Sequence, residues 1–504
     1  MPVNGLINLT VRCNQDCIFC CDGDVKESGH HLTLDETKGK IDGLARQGAQ
    51  SITFIGGEPL IRKDIVEIVE YTRRKGMRSG ITSNATPLTE TLLGRLVDAG
   101  LTSFEVSMHG AHDETICSIT RKSFSARKQR RALGWLKKCS DRLSVSINFV
   151  VFSLNHHELP EFVDQVATRW PFVEELFINF VDPIGYPGQD HSLVPRYSDV
   201  KDNLVCALDK ARNQGLSFTV DTVPGCVLGT YFLYLRATRE KLQGVRYAKD
   251  TLRITNPTPD PDQSQYYRVN SCFACPVSGL CPGVNFRYLA IHGPGEFSPF
   301  PRQVLEENLF VVPEQLAHLP QSTFTALPPV RAPAVVTITD RCNNRCPDQC
   351  PCKASGFDPS TATKALEKAL AGRNRRVLLD GGEPATHPAF FKMLRLIARS
   401  GKQPGFVTNG RVFSLAGWTR KAHESGAEFV RLRLPAPLSH LDAYTGVTDA
   451  LTQTESGIRN LLDARAFHIT AELHVPQGTE SGVQETVEYL QRLGIVVDGA
   501  MGAQ

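Results

Sequence analysis

The chain has no hydrophobic run long enough to cross a bilayer. Apolar stretches such as Val145–Val151 fall far short of the roughly 20 residues that a helical span needs. Met1-Pro2-Val3-Asn4-Gly5 lacks a basic region followed by an apolar run, so a secretory signal is not expected. There is no large excess of charge of either sign. A net charge of +3 over 504 residues demands neither nucleic acid nor an acidic membrane as partner. With no secretory signal expected, the odd count of 15 cysteines is not expected to form a disulfide framework. Clustered thiols in a reducing cytoplasm point to metal instead, and a cytoplasmic location is expected.

What is present describes a soluble α/β protein. Hydrophobic residues make up 41% and charged residues 22%, and the length suits about three domains. From Leu6 the pattern is strand, loop, helix, repeated. Strands are expected at Ile7–Val11, Ser51–Ile55, Arg78–Thr82, Ser103–Met108, Leu143–Val151 and Glu175–Phe180. Thr33-Leu34-Asp35-Glu36 reads as a capping box that opens the first helix. Strands and helices alternating at this spacing form parallel βαβ units, with chemistry at the carboxyl ends of the strands. Beyond residue 200 the rhythm changes, and the stretch from Gly293 to Pro333 holds eight prolines and reads as a linker with one short helix near Arg302–Leu309.

Cys13-Asn14-Gln15-Asp16-Cys17-Ile18-Phe19-Cys20 follows the first strand and places three thiols in one loop. Three thiolates can hold a four-iron cluster and leave one iron open to a small chelating ligand. A structural zinc loop is the alternative, with His30, His31 or Cys21 as fourth ligand. Gly56-Gly57-Glu58-Pro59 ends the second strand: the glycines allow close backbone approach, and the Glu58 carboxylate can take an ammonium. Ser83, Asn84, Ser107 and Asn148 stand at later strand ends, where helix capping is the alternative to ligand contact. Further on, Cys226 joins Cys272-Phe273-Ala274-Cys275 and Cys281, four thiols that suit one further cluster or a zinc site. Cys117, Cys139 and Cys206 lie in helical or strand patterns and are expected in the core.

The opening pattern then returns. Cys342-Asn343-Asn344-Arg345-Cys346 echoes Cys13 to Cys17, and Gly381-Gly382-Glu383-Pro384 echoes Gly56 to Pro59. The interval from the first glycine to the asparagine is 28 positions in both copies, Gly56 to Asn84 and Gly381 to Asn409. The chain is a tandem duplication with a period of about 325 residues, too long for a solenoid. Further strands are expected at Val335–Thr339, Phe429–Leu434, Ile469–Val475 and near Gly494–Val497. The second thiol group is altered: Gln349 takes the place of the third thiol, and Cys350 and Cys352 follow it. Arg433 stands where the first copy has Ser107, and Pro435 where it has His109. A cluster with altered spacing, a structural metal site and a decayed domain are the three outcomes open to it.

These motifs resemble those of the radical S-adenosylmethionine (radical SAM) enzymes, including the aromatic Phe19 before the third thiol. The resemblance covers the first 290 residues well and the last 170 in part. It implies two tandem partial (β/α)6 barrels, over residues 1–215 and 334–504. Between them it implies an auxiliary-cluster domain of the twitch or SPASM kind over 216–295 and a Pro-rich linker over 296–333. It further implies a 4Fe-4S cluster on Cys13, Cys17 and Cys20 that passes an electron to SAM. The resulting 5′-deoxyadenosyl radical takes hydrogen from a substrate. SAM would be held by Gly56, Gly57, Glu58, Pro59, Ser83, Asn84, Ser107 and Asn148. An auxiliary 4Fe-4S cluster would sit on Cys226, Cys272, Cys275 and Cys281, since only four of the seven thiols of a full SPASM pattern are present. A third cluster or another metal falls to Cys342, Cys346, Cys350 and Cys352. Implied partners are a flavodoxin- or ferredoxin-type reductant and a ribosomally made peptide. A small-molecule substrate (nucleoside, sugar or cofactor precursor) and a non-catalytic iron–sulfur electron-transfer or scaffold protein are the competing readings.

Overall fold

The computed structural model describes residues 3–502 except 24, 245, 248–265, 274, 326–332, 348–357, 373, 465, 477–478, 480–481 and 494. The chain divides into two compact units. One comprises Met1–Tyr267, Pro276–Tyr288 and Glu296–Pro328; the other Arg268–Cys275, Leu289–Gly295 and Pro329–Gln504. Residues 216–295 are thus shared between the units.

The first unit is built on a parallel sheet. Its strands are β1 (Val3–Asn8), β2 (Ala49–Ile55), β3 (Arg78–Ser83), β4 (Leu101–Ser107), β5 (Ser144–Val151), β6 (Glu175–Phe180), β7 (Ser217–Asp221) and a two-residue edge, β8 (Arg246–Tyr247). They lie in the order β7-β6-β5-β4-β3-β2-β1-β8. Alternation is clearest in β5, where Val145, Ile147, Phe149 and Val151 are buried while the residues between them are partly exposed. The first helix, Leu34–Arg46, is opened by the expected capping box. Thr33 Oγ1 accepts from Glu36 N at 3.2 Å, and Glu36 Oε2 accepts from Thr33 N at 2.8 Å. A small antiparallel pair, β9 (Tyr266–Tyr267) and β10 (Val284–Asn285), completes the strands of this unit.

Four expectations need correction. β1 ends at Asn8, not Val11, because the chain then turns to pair with the segment before the first helix: Val11 N donates to His30 O at 3.0 Å. The sheet gains a seventh βα unit, since the helix Tyr197–Asn213 leads into β7 at Ser217. The Pro-rich stretch is not a bare linker. Phe297, Phe300, Phe310, Leu316 and Phe324 are buried, and the Phe300 ring packs against Phe232 at 4.9 Å. Cys206 is exposed and Cys117 and Cys139 only half-buried. The helix carrying Cys206 buries Val200, Leu204, Ala207, Leu208 and Ala211, and position 206 falls off that face.

The second unit holds a six-stranded parallel sheet in sequential order: β11 (Ala334–Thr339), β12 (Arg376–Gly381), β13 (Gln403–Thr408), β14 (Phe429–Pro435), β15 (His468–Val475) and β16 (Val496–Gly502). Its core is formed by Val377, Leu379, Phe406, Leu432 and Leu473 with helix residues such as Leu394 and Ile458. The expected sixth strand runs further than its sequence pattern, to Gly502.

Candidate active site

In the first unit the loop after β1 and the loop after β2 are bonded to each other. Gly57 N donates to Thr10 O at 2.6 Å and Glu58 N to Arg12 O at 2.9 Å. The two glycines are required by this approach: a Cβ on Gly56 would meet Thr10 O at 2.4 Å, and one on Gly57 would meet Arg12 O at 2.3 Å. Gly56 also has a φ of +139°, in the region other residues rarely adopt.

Glu58 is fully buried and its carboxylate is occupied from within. It accepts from Leu60 N at 2.9 Å, Ser83 Oγ at 2.7 Å and Asn84 N at 2.8 Å. Burial pushes its pKa up to about 7 against the opposing pull of these bonds. Glu58 therefore ties the end of β2 to the end of β3. With buried Pro59 it lies outside the cavity lining, where the resemblance had assigned both to SAM.

A cavity of about 770 Å³ opens at the carboxyl ends of the strands. Cys13, Cys17 and Cys20 line it together with Gly56, Gly57, Ser83, Asn84, Ser107 and Asn148. Parallel pairing places Ser107 beside Asn148, whose Oδ1 accepts from Asn179 Nδ2 at 2.7 Å. Phe19 stands edge-on to His109 at 4.7 Å and against Phe152 at 5.2 Å, which anchors the loop before Cys20. Val150 N donates to His109 Nδ1 at 3.0 Å, and burial lowers the imidazole to about 3, so this His is a neutral prop.

Several cavity residues escaped the sequence reading. Lys26 faces the thiols and is held by Asp16 at 3.1 Å and Gln15 O at 3.3 Å. Deeper in the cavity lie Glu105, Glu175, Asp221, Arg236 and Arg239. Thr82 Oγ1 donates to Glu105 at 3.1 Å, and Arg239 and Arg236 pair with Glu175 at 3.3 Å and Asp221 at 3.4 Å. The available signal was an acidic residue within or at the start of a parallel strand, as at Glu105 in β4 and Glu175 opening β6. Asn14 was also passed over, although its counterpart Asn343 stands in the second thiol loop.

The thiol set fits an iron–sulfur cluster. Burial raises all three thiols, Cys13 to about 11, and each thiolate among them repels another, so a cationic centre is needed to hold them ionised. Among the described residues no three His, Cys, Asp or Glu side chains converge to hold a single metal ion, whereas a cluster spreads its ligands over several irons. His31, one of the proposed zinc ligands, has its Nδ1 3.1 Å from Thr10 Oγ1.

The other thiols fall into two pairs. In the first unit, Gly225 N and Gly283 N each donate to Cys281 Sγ at 3.4 Å, next to Cys226. In the second, Cys275 N donates to Cys272 O at 3.2 Å in a tight turn.

The second unit repeats the loop architecture. Gly382 N donates to Thr339 O at 2.8 Å and Glu383 N to Arg341 O at 2.7 Å. Buried Glu383, its pKa also pushed up to about 7 by burial, accepts from Thr408 Oγ1 at 2.9 Å and Asn409 N at 2.8 Å. The space beyond differs. Arg433 makes a bidentate pair with Asp380 at 2.8 and 3.0 Å and reaches Glu472 at 3.6 Å. By register, Glu472 occupies the place of Asn148, and the cavity lined by Cys342, Cys346 and Arg433 is only about 40 Å³. Cys350 and Cys352 lie outside the described residues.

Residues 7–166 match the family model described as Radical SAM superfamily, and this part of the chain is a radical SAM domain. PqqA peptide cyclase of Bradyrhizobium diazoefficiens is 30% identical over 164 residues, 32% of this chain and 43% of that protein. AdoMet-dependent heme synthase of Methanosarcina barkeri is 23% identical over 327 residues, 56% of this chain and 91% of that protein. The crystal structure of Streptococcus suis SuiB bound to precursor peptide SuiA is similar at a TM-score of 0.38 and 16% identity, over 44% of this chain and 49% of that one, too low a score to argue from. The chain spans less than half the length of the peptide cyclases it matches. No described helix is long and apolar enough to cross a membrane.

Proposed function

We propose that the first unit is a SAM-dependent radical enzyme whose substrate is a ribosomally made peptide. The observation that carries it is one cavity lined by three thiols, the Gly56-Gly57 backbone and the polar strand ends Ser83, Asn84, Ser107 and Asn148. Cys13, Cys17 and Cys20 would hold a 4Fe-4S cluster, and with SAM bound there the pair supplies a hydrogen-abstracting adenosyl radical, driven by a flavodoxin- or ferredoxin-type reductant. The chain's own part is binding and exclusion. Ser107 and Asn148 present hydrogen-bonding groups to a nucleoside and amino acid, Phe19 and His109 close the thiol loop, and the walls keep water from the reacting carbon. A volume of about 770 Å³ leaves room for part of a substrate beside SAM, against the charged wall of Glu105, Glu175, Asp221, Arg236 and Arg239.

The peptide is favoured by the peptide cyclase relatives. A small-molecule substrate is the second reading, favoured by the heme synthase, which is covered over 91% of its length. Anaerobically reconstituted protein given SAM and dithionite should release 5′-deoxyadenosine. Bound SAM and an intact cluster without deoxyadenosine would reject catalysis and leave an electron-transfer or scaffold protein. Iron counting separates the cluster sets: about four irons per chain for the first loop alone, about eight with an auxiliary cluster and about twelve with a third.

A further inference from the structure

Asn84 was assigned to SAM by resemblance, but its side chain is directed at a sulfur. Thr86 N donates to Asn84 Oδ1 at 2.9 Å. A backbone N–H can only donate, so this bond fixes which end of the amide is oxygen. The amide nitrogen then faces Asn14 Oδ1 at 2.9 Å and Cys13 Sγ at 3.7 Å, a length suited to the large sulfur acceptor. Gln15 N supplies a second donor to the same sulfur at 3.4 Å.

The second unit builds the same cradle from its own residues. Arg411 N fixes Asn409 Oδ1 at 3.0 Å, and Asn409 Nδ2 faces Asn343 Oδ1 at 2.6 Å and Cys342 Sγ at 3.6 Å. Asn344 N donates to Cys342 Sγ at 3.4 Å. In both units the buried glutamate clamps the asparagine backbone at 2.8 Å. The pocket beside the thiol differs in the second unit: Arg433, paired with Asp380 and near Glu472, lines it, and its volume is about 40 Å³. The asparagine thus keeps its place against the first thiol of the loop in a copy whose pocket is small and has Arg433 in its lining. What the two copies share is the thiol.

We propose that Asn84 is a positioning residue for Cys13: it donates an N–H···S hydrogen bond to the ligand sulfur and raises the reduction potential of the cluster. The inference rests on the reading of Cys13, Cys17 and Cys20 as cluster ligands. Reduction adds negative charge that spreads onto the sulfurs, and a donor at sulfur stabilises the reduced form more than the oxidised one.

The test is a redox titration of the full chain, reconstituted anaerobically without SAM and followed by the electron paramagnetic resonance of the reduced cluster. Asn84→Ala removes the donor. Asn84→Asp keeps the size and the oxygen facing Thr86 but replaces both N–H donors. Both variants should titrate at a lower potential than wild type, with the aspartate lower still because it places charge beside the sulfur. Variants that stay folded by circular dichroism but fail to take up iron also support the proposal, since Cys13 then needs its donor to bind. Wild-type potential and iron content in both variants, with only SAM binding weakened, would overturn it. A wild-type chain that takes up no four-iron cluster fails earlier and rejects the proposed function instead.

Discussion

Two parallel sheets in one chain share the opening of a thiol loop, a pair of glycines and a buried glutamate, and they part company at the ends of later strands. In the first, Ser107 and Asn148 face a cavity of about 770 Å³; in the second, Arg433 and Glu472 hold those register positions and about 40 Å³ is left. The change is coherent. An arginine alone in that place would be a buried unpaired charge, so Asp380 has come in where the first copy has Ile55, and Glu472 where it has Asn148. One copy lines a large cavity with polar strand ends, and the other pairs the charges it has at those positions with one another. The contact of the asparagine with the first thiol is the same in both.

The largest expected effect breaks the equivalence of the two thiol loops. Cys13→Ala should abolish 5′-deoxyadenosine formation, whereas replacing Cys342 and Cys346 together should leave it near wild type. Equal loss from both would show the second loop to be part of the chemistry. Equilibrium dialysis sharpens the same contrast: one SAM should bind per chain, and a second equivalent would mean that the Arg433 triad opens in solution.

Arg433→Ala should cost the second unit about 3 kcal/mol, because it leaves two carboxylates facing each other with no cation. Chemical denaturation of the full chain would show this as an early loss of one transition. An unshifted transition would mean the triad is solvated.

The glutamates test what the barrels have in common. Glu58 and Glu383 each have a folded pKa near 7 against an ordinary value of 4.5. Between those values the folded chain keeps a proton that the unfolded chain has lost, so stability falls as pH rises from 4.5 to 7. The contribution is complete below 4.5 and gone above 7. At about 1.4 kcal/mol per unit, each site contributes on the order of 3 kcal/mol. Glu58→Gln and Glu383→Gln should each flatten part of the pH dependence of apoprotein melting, and by similar amounts. A slope unchanged in both would place the carboxylates in contact with water. Gly56→Ala adds strain of about 1–3 kcal/mol at its positive φ and sets a Cβ against the backbone Thr10 O at 2.4 Å, so it should cost more than the strain alone. Its melting temperature checks this.

Most strands of both sheets were legible because each is a local pattern with flanking turn residues, but β7 (Ser217–Asp221) and the two-residue β8 were not. The duplication was legible because the Gly56–Asn84 interval recurs at Gly381–Asn409. The thiol loop and the strand-end polar residues were also found from sequence, and the structure brings them to one cavity. The Pro-rich segment was misread because proline content hides buried Phe300 and Phe310, which pack through contacts remote in sequence. Glu58 was misread for a related reason. A carboxylate beside two glycines suggests a ligand, and only the fold shows that Ser83 and Asn84, 25 and 26 positions on, already occupy it.

By itself, then, the sequence determined the fold class, the two copies and the grouping of the thiols, all of which are written in short-range spacing. Tertiary structure alone decided what each strand end meets. The parallel sheets gather at their carboxyl edge residues that lie far apart in the chain, even from strands with another strand between them: Asn84 with Cys13 across 71 positions, Arg433 with Asp380 across 53. No local pattern records those meetings, and they are what separates a barrel with an open cavity from one that has closed on itself.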